Sequence, residues 1–393
     1  MLMLTDMIEV ARGDADPEAA RAKSPRRFGA SDAPVVVWNV CRHCNMTCPH
    51  CYVAAGARPS RADLSTADAL RVIDDLASSG VRTVIVSGGE PLLRSDVFAL
   101  LARMKAVGIG AQLSTNGVLV DPKTAHQLRE LGVQYVGVSL DGQRSFNDAY
   151  RGLEGGFDAA LEGLRNARAA GMRTGVRMTL TRRNFSAVEE VAEVAHDVGA
   201  GRFYLSHLVY AGRGLRMVGD DLSPAESRAA LLALFDLADR WSRERRPMRF
   251  VTGSNDSDGP LLCVWLRERF GAAAAARAEA LLRARGGNSA GEKVVCIDHR
   301  GRVHPDQFWQ DAVFGVLPKQ RFADVLAHPL RAELRAREES LGGRCGACAF
   351  RAMCRGSHRE RALATTGDAW APDPACVMTD EEVLGKELAC DVA

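Results

Sequence analysis

Residues 34–51 read PVVVWNVCRHCNMTCPHC. A proline opens an apolar run over 34–40, which fits the first buried strand of a parallel sheet. Three thiols follow, Cys44, Cys48 and Cys51, on the loop at that strand's C-terminal end, separated by three residues and then by two. Downstream the same alternation recurs. Ser65-Thr66-Ala67-Asp68 has capping-box spacing ahead of the helical stretch DALRVIDDLASS. Strand patterns then cover 82–86, 110–114, 135–140, 173–180 and 202–206, and helix patterns cover 96–107, a stretch ending near 131, 157–170 and 185–198. Strands and helices in this order make parallel neighbours joined by right-handed crossovers. Six units fall short of the eight of a full barrel. The expected fold is α/β, a partial (β/α)6 TIM-like barrel with a small C-terminal Cys-rich module; a doubly wound open sheet is the alternative. Both put the chemistry at the C-terminal strand ends.

The 393 residues divide into four expected segments. Residues 1–33 read as an amphipathic or loose N-terminal arm and 34–220 as the barrel. Residues 221–290 read as a helical linker region. Ser223-Pro224-Ala225-Glu226 starts its first helix, and a second helical stretch over 263–285 ends at Gly286-Gly287-Asn288. Residues 291–393 form the Cys-rich module. Lys+Arg of 51 against Asp+Glu of 49 excludes a strongly basic nucleic-acid binder on bulk charge. No apolar run reaches the ~18 residues of a membrane span. The N-terminus is acidic before it is basic, the reverse of a secretory signal, so a cytoplasmic protein is expected. In that reducing compartment eleven Cys, eight of them in or beside two short stretches, argue for metal or iron–sulfur ligation over disulfides.

Three thiolates can hold three irons of a cubane and leave the fourth open to the amine and carboxylate of an amino acid. A zinc site completed by Cys41, His43 or His50 is the competing reading. Three further strand ends carry small polar residues: Ser87-Gly88-Gly89-Glu90-Pro91, Ser114-Thr115-Asn116-Gly117 and Ser139-Leu140-Asp141-Gly142. Their glycines permit close backbone approach. In the tail, Cys345, Cys348, Cys354 and Cys376 form a complete four-thiol set, for which a zinc knob is again the competing reading.

Together CNMTCPHC, SGGEP, STNG and SLDG resemble the radical S-adenosylmethionine (SAM) superfamily over about residues 34–220. The resemblance implies that Cys44, Cys48 and Cys51 ligate a [4Fe–4S] cluster whose free iron binds S-adenosylmethionine. It places the cosubstrate's ammonium at the Gly88-Gly89-Glu90 turn and its ribose near Ser139; Asn116 is a candidate for the same site, and Arg177 is expected to point toward the sulfonium or toward a substrate propionate, or else to pair with a neighbouring acid. Tyr52 is expected near the adenine, or in plain core packing. His50 departs from the hydrophobic residue usual before the last Cys. The tail resembles the SPASM extension of that superfamily and implies one auxiliary [4Fe–4S] cluster on Cys345, Cys348, Cys354 and Cys376. Asp306 stands where many relatives carry a Cys.

Two stretches, RFYLSHLVYAGRG at 202–214 and RVHPDQFW at 302–309, resemble the heme d1-forming members of the superfamily. This implies removal of two propionate side chains from 12,18-didecarboxysiroheme through a 5'-deoxyadenosyl radical. It also implies an iron tetrapyrrole substrate, an external one-electron donor such as flavodoxin or ferredoxin, and handover partners in that pathway. A flat polyanionic ligand wants aromatic faces and cationic edges. Tyr204, His207, Tyr210 and Arg213 suit it, and His207 or His304 is a candidate axial ligand. Competing readings are acetate loss or propionate-to-vinyl conversion on a related siroheme, a SPASM peptide maturase, or an iron–sulfur scaffold without activity.

Overall fold

A computed structural model describes residues 1–23 and 32–385. Eleven strands form one sheet among the described residues. They are β1 (Leu2–Met3), β2 (Val35–Asn39), β3 (Thr83–Ser87), β4 (Gly110–Thr115), β5 (Val133–Ser139), β6 (Arg173–Leu180), β7 (Arg202–His207), β8 (Arg249–Gly253), β9 (Val294–Ile297), β10 (Arg302–His304) and β11 (Gly315–Val316). The sheet order is β1-β8-β7-β6-β5-β4-β3-β2-β9-β10-β11. The six expected strands, β2 to β7, lie side by side in sequence order and all pair in parallel. The partial barrel is therefore present, and the sheet continues past it on both sides.

On one side β8 pairs in parallel with β7, and β1 closes antiparallel on β8. On the other, β9 pairs in parallel with β2 and leads into antiparallel β10 and β11. The segment expected as a helical linker thus contains a barrel strand. Its five residues, RFVTG, are too short and too mixed to announce one.

Local chemistry accounts for the helix starts. Ser65 Oγ accepts from the Asp68 amide at 3.1 Å, and Asp121 Oδ1 from the Thr124 amide at 2.6 Å. Ser223 and Glu226 complete a reciprocal capping box, with Pro224 in the first turn of Pro224–Arg243. The stretch read as one helix over 263–285 is two, Asp258–Phe270 and Ala272–Arg285. Gly271 at φ +84° stands between them, a conformation that ends a helix.

The N-terminal segment forms an amphipathic helix, one of the two expected readings, and it is docked rather than loose. Leu4–Arg12 is a helix with Leu4, Ile8, Val10 and Ala11 fully buried, packed on Pro224–Arg243 and Ala272–Arg285. Each fully buried Leu or Ile contributes about 1.5–3 kcal/mol, so these residues belong to the core and are not a loose arm. No helix among the described residues is long and apolar enough to cross a membrane.

Candidate functional site

The three-cysteine loop leaves the C-terminal end of β2 and is held from several directions. The Cys44 amide donates to Gly56 O at 2.9 Å and the Thr47 amide to Arg151 O at 2.9 Å. Arg213 donates through Nε to Cys48 O at 2.8 Å and through Nη1 to Ala55 O at 2.6 Å, while its amide donates to Cys51 O at 3.0 Å. Cys44, Cys48 and Cys51 all line one cavity of about 330 Å³ inside the barrel mouth.

Burial pushes the Cys44 thiol up to about 11 and raises Cys48 as well. Such thiols are poor nucleophiles by themselves and become thiolates when a metal replaces their protons. Among the described residues, the three-donor sets closing to within 4.8 Å comprise Glu193, His196 and Asp197 alone. No three cysteine sulfurs close that far, whereas four thiolates on one zinc stand only about 3.8 Å apart. Three thiols on one loop, all lining the cavity, are a donor set that suits a cubane with one iron left open.

The glycines of the turn after β3 serve the loop itself. A Cβ at Gly88, whose φ is +140°, would meet Cys41 O at 2.5 Å, and one at Gly89 would meet His43 O at 2.2 Å. The amides of Gly89 and Glu90 donate to those same two carbonyls at 2.9 and 2.7 Å. Close approach is therefore required by the chain's own cysteine loop, and both glycines still line the cavity.

Glu90, expected at the cosubstrate's ammonium, is 0% exposed and is not among the residues that line the cavity. Its carboxylate accepts from Thr115 Oγ1 at 2.7 Å, the Asn116 amide at 2.8 Å and the Leu92 amide at 3.2 Å. Burial raises its pKa while these donors oppose the rise. Glu90 ties the ends of β3 and β4 together. Asn116 continues that tie to the cysteine loop, donating through Nδ2 to Asn45 Oδ1 at 2.7 Å. Glu90→Ala is expected to destabilise the fold by ~1–3 kcal/mol through the orphaned donors, read as a lower denaturation midpoint. An unchanged midpoint together with lost S-adenosylmethionine binding would return Glu90 to a direct contact.

Asn116, Ser139, Arg177, Tyr52, Tyr204, His207 and Arg213 all line the cavity. The Tyr52 hydroxyl lies 3.1 Å from Asn39 Oδ1 and 3.2 Å from Ser87 Oγ, and its ring meets Phe308 edge-on at 5.1 Å. Arg177 donates to Ser114 Oγ at 2.7 Å and lies over the Tyr204 ring. His207 is engaged by buried Asp258, at 3.1 Å from Oδ1. Arg213 is spent on the loop carbonyls and so braces the cysteines.

Two expected substrate contacts lie elsewhere. Tyr210 is buried outside the cavity and donates to Asp221 Oδ2 at 2.7 Å. His304 is 0% exposed, with Nδ1 at 2.9 Å from Ala312 O and Nε2 at 3.6 Å from Asp298 Oδ2. His304 faces packed neighbours because side chains alternate between the two faces of β10, and Tyr210 lies beyond the end of β7, on the loop that follows it.

The cavity also gathers residues that the sequence did not assign to the cosubstrate or substrate, Arg151 and Arg202 among them. Arg151, 6% exposed, donates through Nη1 to Asp141 Oδ2 at 2.5 Å, and His50 Nε2 lies 3.4 Å from the same oxygen. Burial works against the Arg151 charge, but Cys48 and Asp141 more than offset it and raise its pKa. Arg202 lines the cavity over the Tyr135 ring. Asp306, Phe308 and His358 also line the cavity, Phe308 against the Tyr52 ring. The RG dipeptide after SLDG was the one available signal, for Arg151.

Cys345, Cys348, Cys354 and Cys376 form one group, since Cys345 and Cys376 both act on the Cys354 thiol and Cys345 acts on that of Cys348. Burial is the larger cause that raises each of these two thiols, and it raises Cys376 too. Arg344 Nη1 donates to Cys376 Sγ at 3.1 Å. The module is fastened to the barrel by Arg361, which donates to Leu208 O at 2.9 Å, and by Asn255, which donates to Ala375 O at 2.8 Å. Of the remaining thiols, Cys41, Cys263 and Cys296 are buried; Cys390 lies outside the described residues.

A sequence model of the radical SAM superfamily matches residues 38–195. The chain is 42% identical to the pre-heme d1 synthase of Dinoroseobacter shibae, over 91% of this chain and 89% of that protein. It is 39% identical to the Fe-coproporphyrin III synthase of Methanosarcina barkeri, over 91% of each. Among solved structures, Streptococcus suis SuiB bound to S-adenosylmethionine superposes with a TM-score of 0.67 at 16% identity, covering 88% of this chain and 78% of that one. That last likeness concerns the fold.

Proposed function

This chain belongs to the radical SAM superfamily, and on that premise we propose that it removes two propionate side chains from 12,18-didecarboxysiroheme in heme d1 formation. The observation that carries this reading is the likeness to pre-heme d1 synthase along nearly the whole chain. When bound, the [4Fe–4S] cluster and S-adenosylmethionine supply hydrogen-atom abstraction by one-electron chemistry. The protein's own part is to bind, orient and shield.

Cys44, Cys48 and Cys51 hold the cluster, with Arg213 fixing two carbonyls of their loop. Gly88, Gly89, Asn116, Ser139 and Tyr52 form the wall taken by the cosubstrate. Arg177 and Arg202 lie in no ion pair among the described residues, so their guanidinium groups are available to substrate carboxylates. Tyr204 offers a ring face beside Arg177. These groups must bring one propionate hydrogen to near-contact distance with the abstracting carbon, since positioning sets the rate of such a step. Cys345, Cys348, Cys354 and Cys376 hold an auxiliary [4Fe–4S] cluster with all its irons ligated, suited to electron transfer. An external one-electron donor, such as flavodoxin or ferredoxin, completes the proposal.

The test incubates the reduced, anaerobic protein with S-adenosylmethionine and didecarboxysiroheme and follows product masses. Two successive losses, each matching one propionate arm, are expected. The likeness to Fe-coproporphyrin III synthase favours acetate loss as the second reading, and the same masses separate the two. Loss of carbon dioxide alone indicates the vinyl-forming reaction. An unchanged tetrapyrrole beside turnover of a peptide moves the protein to the maturases.

A further inference from the structure

The cavity wall carries, beside Phe308, an imidazole that nothing in the cosubstrate site uses. His358 is 4% exposed and lines the cavity. Its Nδ1 is buried with no hydrogen-bond partner, and its Nε2 stands 3.7 Å from Asp306 Oδ2, beyond hydrogen-bond reach. Phe308 meets the ring edge-on at 5.1 Å. A buried polar nitrogen left unpaired is costly, and such an atom in a cavity wall marks a missing partner.

The seat of this residue is unusually constrained. Arg355, Gly356 and Ser357, immediately before it, all have positive φ, at +58°, +80° and +55°. Two of the three are not glycine, and each such residue costs of order 1–3 kcal/mol unless its surroundings hold it. Here they do. Arg355 donates to Glu292, Glu338 and Arg335 O at 2.5, 3.0 and 2.8 Å. Ser357 Oγ accepts from the Asp256 amide at 2.9 Å and donates to Asn255 Oδ1 at 3.1 Å. The His358 amide donates to Asp373 Oδ2 at 2.9 Å. Asp306 is fixed too, its Oδ1 accepting from the amides of Phe308 and Trp309 at 2.8 and 2.9 Å.

We propose that His358 is the axial ligand to the iron of the tetrapyrrole substrate through Nδ1, with Asp306 facing its other ring nitrogen. The inference rests on the tetrapyrrole reading above and deepens it. Imidazole is a common axial ligand to tetrapyrrole iron, and ligating histidines characteristically donate their second nitrogen to a carboxylate. Of the other candidates, His207 is engaged with Asp258 and His304 lies outside the cavity, while His50, whose Nδ1 is likewise unpartnered, sits in the cysteine loop itself, stacked on Tyr150. Burial lowers the pKa of His358, which favours the neutral imidazole that a metal requires.

The test uses the full chain with reconstituted clusters and two probes, ferric siroheme and metal-free sirohydrochlorin. His358→Ala is expected to change the absorption and EPR spectrum of bound ferric siroheme and to weaken its binding by about tenfold or more. Sirohydrochlorin binding should be unaffected, and added imidazole should restore the spectrum. His207→Ala should leave the spectrum as it was. If His358→Ala fails to fold, His358→Gln and nitrogen ENDOR on 15N-histidine-labelled wild type give the same reading; absence of a histidine coupling on the substrate iron then overturns the proposal. Binding of both probes with spectra indifferent to His358 overturns the ligand assignment and leaves the tetrapyrrole reading standing. Binding of neither probe by wild type overturns both.

Discussion

Replacing Cys44, Cys48 and Cys51 together by Ala is expected to abolish S-adenosylmethionine cleavage and to leave about half of the iron in place. Wild type, reconstituted anaerobically, should carry about eight irons, two cubanes. The three thiols line the cavity, while Cys345, Cys348, Cys354 and Cys376 form their own group in the module, so the two sets should load independently. The complementary Cys345→Ala, Cys348→Ala variant should lose the other half. Iron and acid-labile sulfide analysis reads both. Zinc without labile sulfide in the triple variant would sink the auxiliary iron–sulfur cluster, and iron unchanged in that variant would remove the three-cysteine loop from cluster binding.

The second large effect lies beneath that loop. Asp141→Ala leaves Arg151 charged and buried, with side-chain exposures of 1% and 8% for the pair. Removing one member of a buried ion pair costs about 3–5 kcal/mol. Asp141 is bound further, through Oδ1 to the Thr179 amide at 2.9 Å, so the end of β6 loosens with it. The expected result is a large drop in the denaturant midpoint of the variant. Adding Arg151→Met should restore part of it, because the double variant buries no lone charge. A double variant no more stable than Asp141→Ala would show that the charge pairing is not what holds this corner. Since the Arg151 carbonyl also receives the Thr47 amide, cluster retention should fall alongside stability.

Much of the site was legible because its signals are local. Spacing alone set Cys44, Cys48 and Cys51 on one loop after one strand. Ser65, Asp121 and Ser223 bond to amides within three residues, so their helix starts could be read from adjacent letters. Alternating strands and helices implied parallel pairing, and parallel pairing puts the loops that carry SGGEP, STNG and SLDG at one end of the barrel. Those inferences need no knowledge of what lies far away in the chain.

What the tertiary structure alone decided depends on partners distant in sequence. Glu90 reads in the sequence as a ligand acceptor, and only the fold brings Thr115 and Asn116 from the end of the next strand to donate to its two oxygens. Strand β8 is too short to declare itself and exists because β7 and β1 supply its hydrogen bonds. Helix Leu4–Arg12 becomes core only when two later helices cover it. His304 and His358 look alike as letters; one is packed against Ala312 and Asp298, while the other faces a cavity assembled from Asp306, Phe308 and the barrel mouth. A side chain's role follows from what desolvates and pairs it, and in this fold those groups come from stretches far apart in the chain.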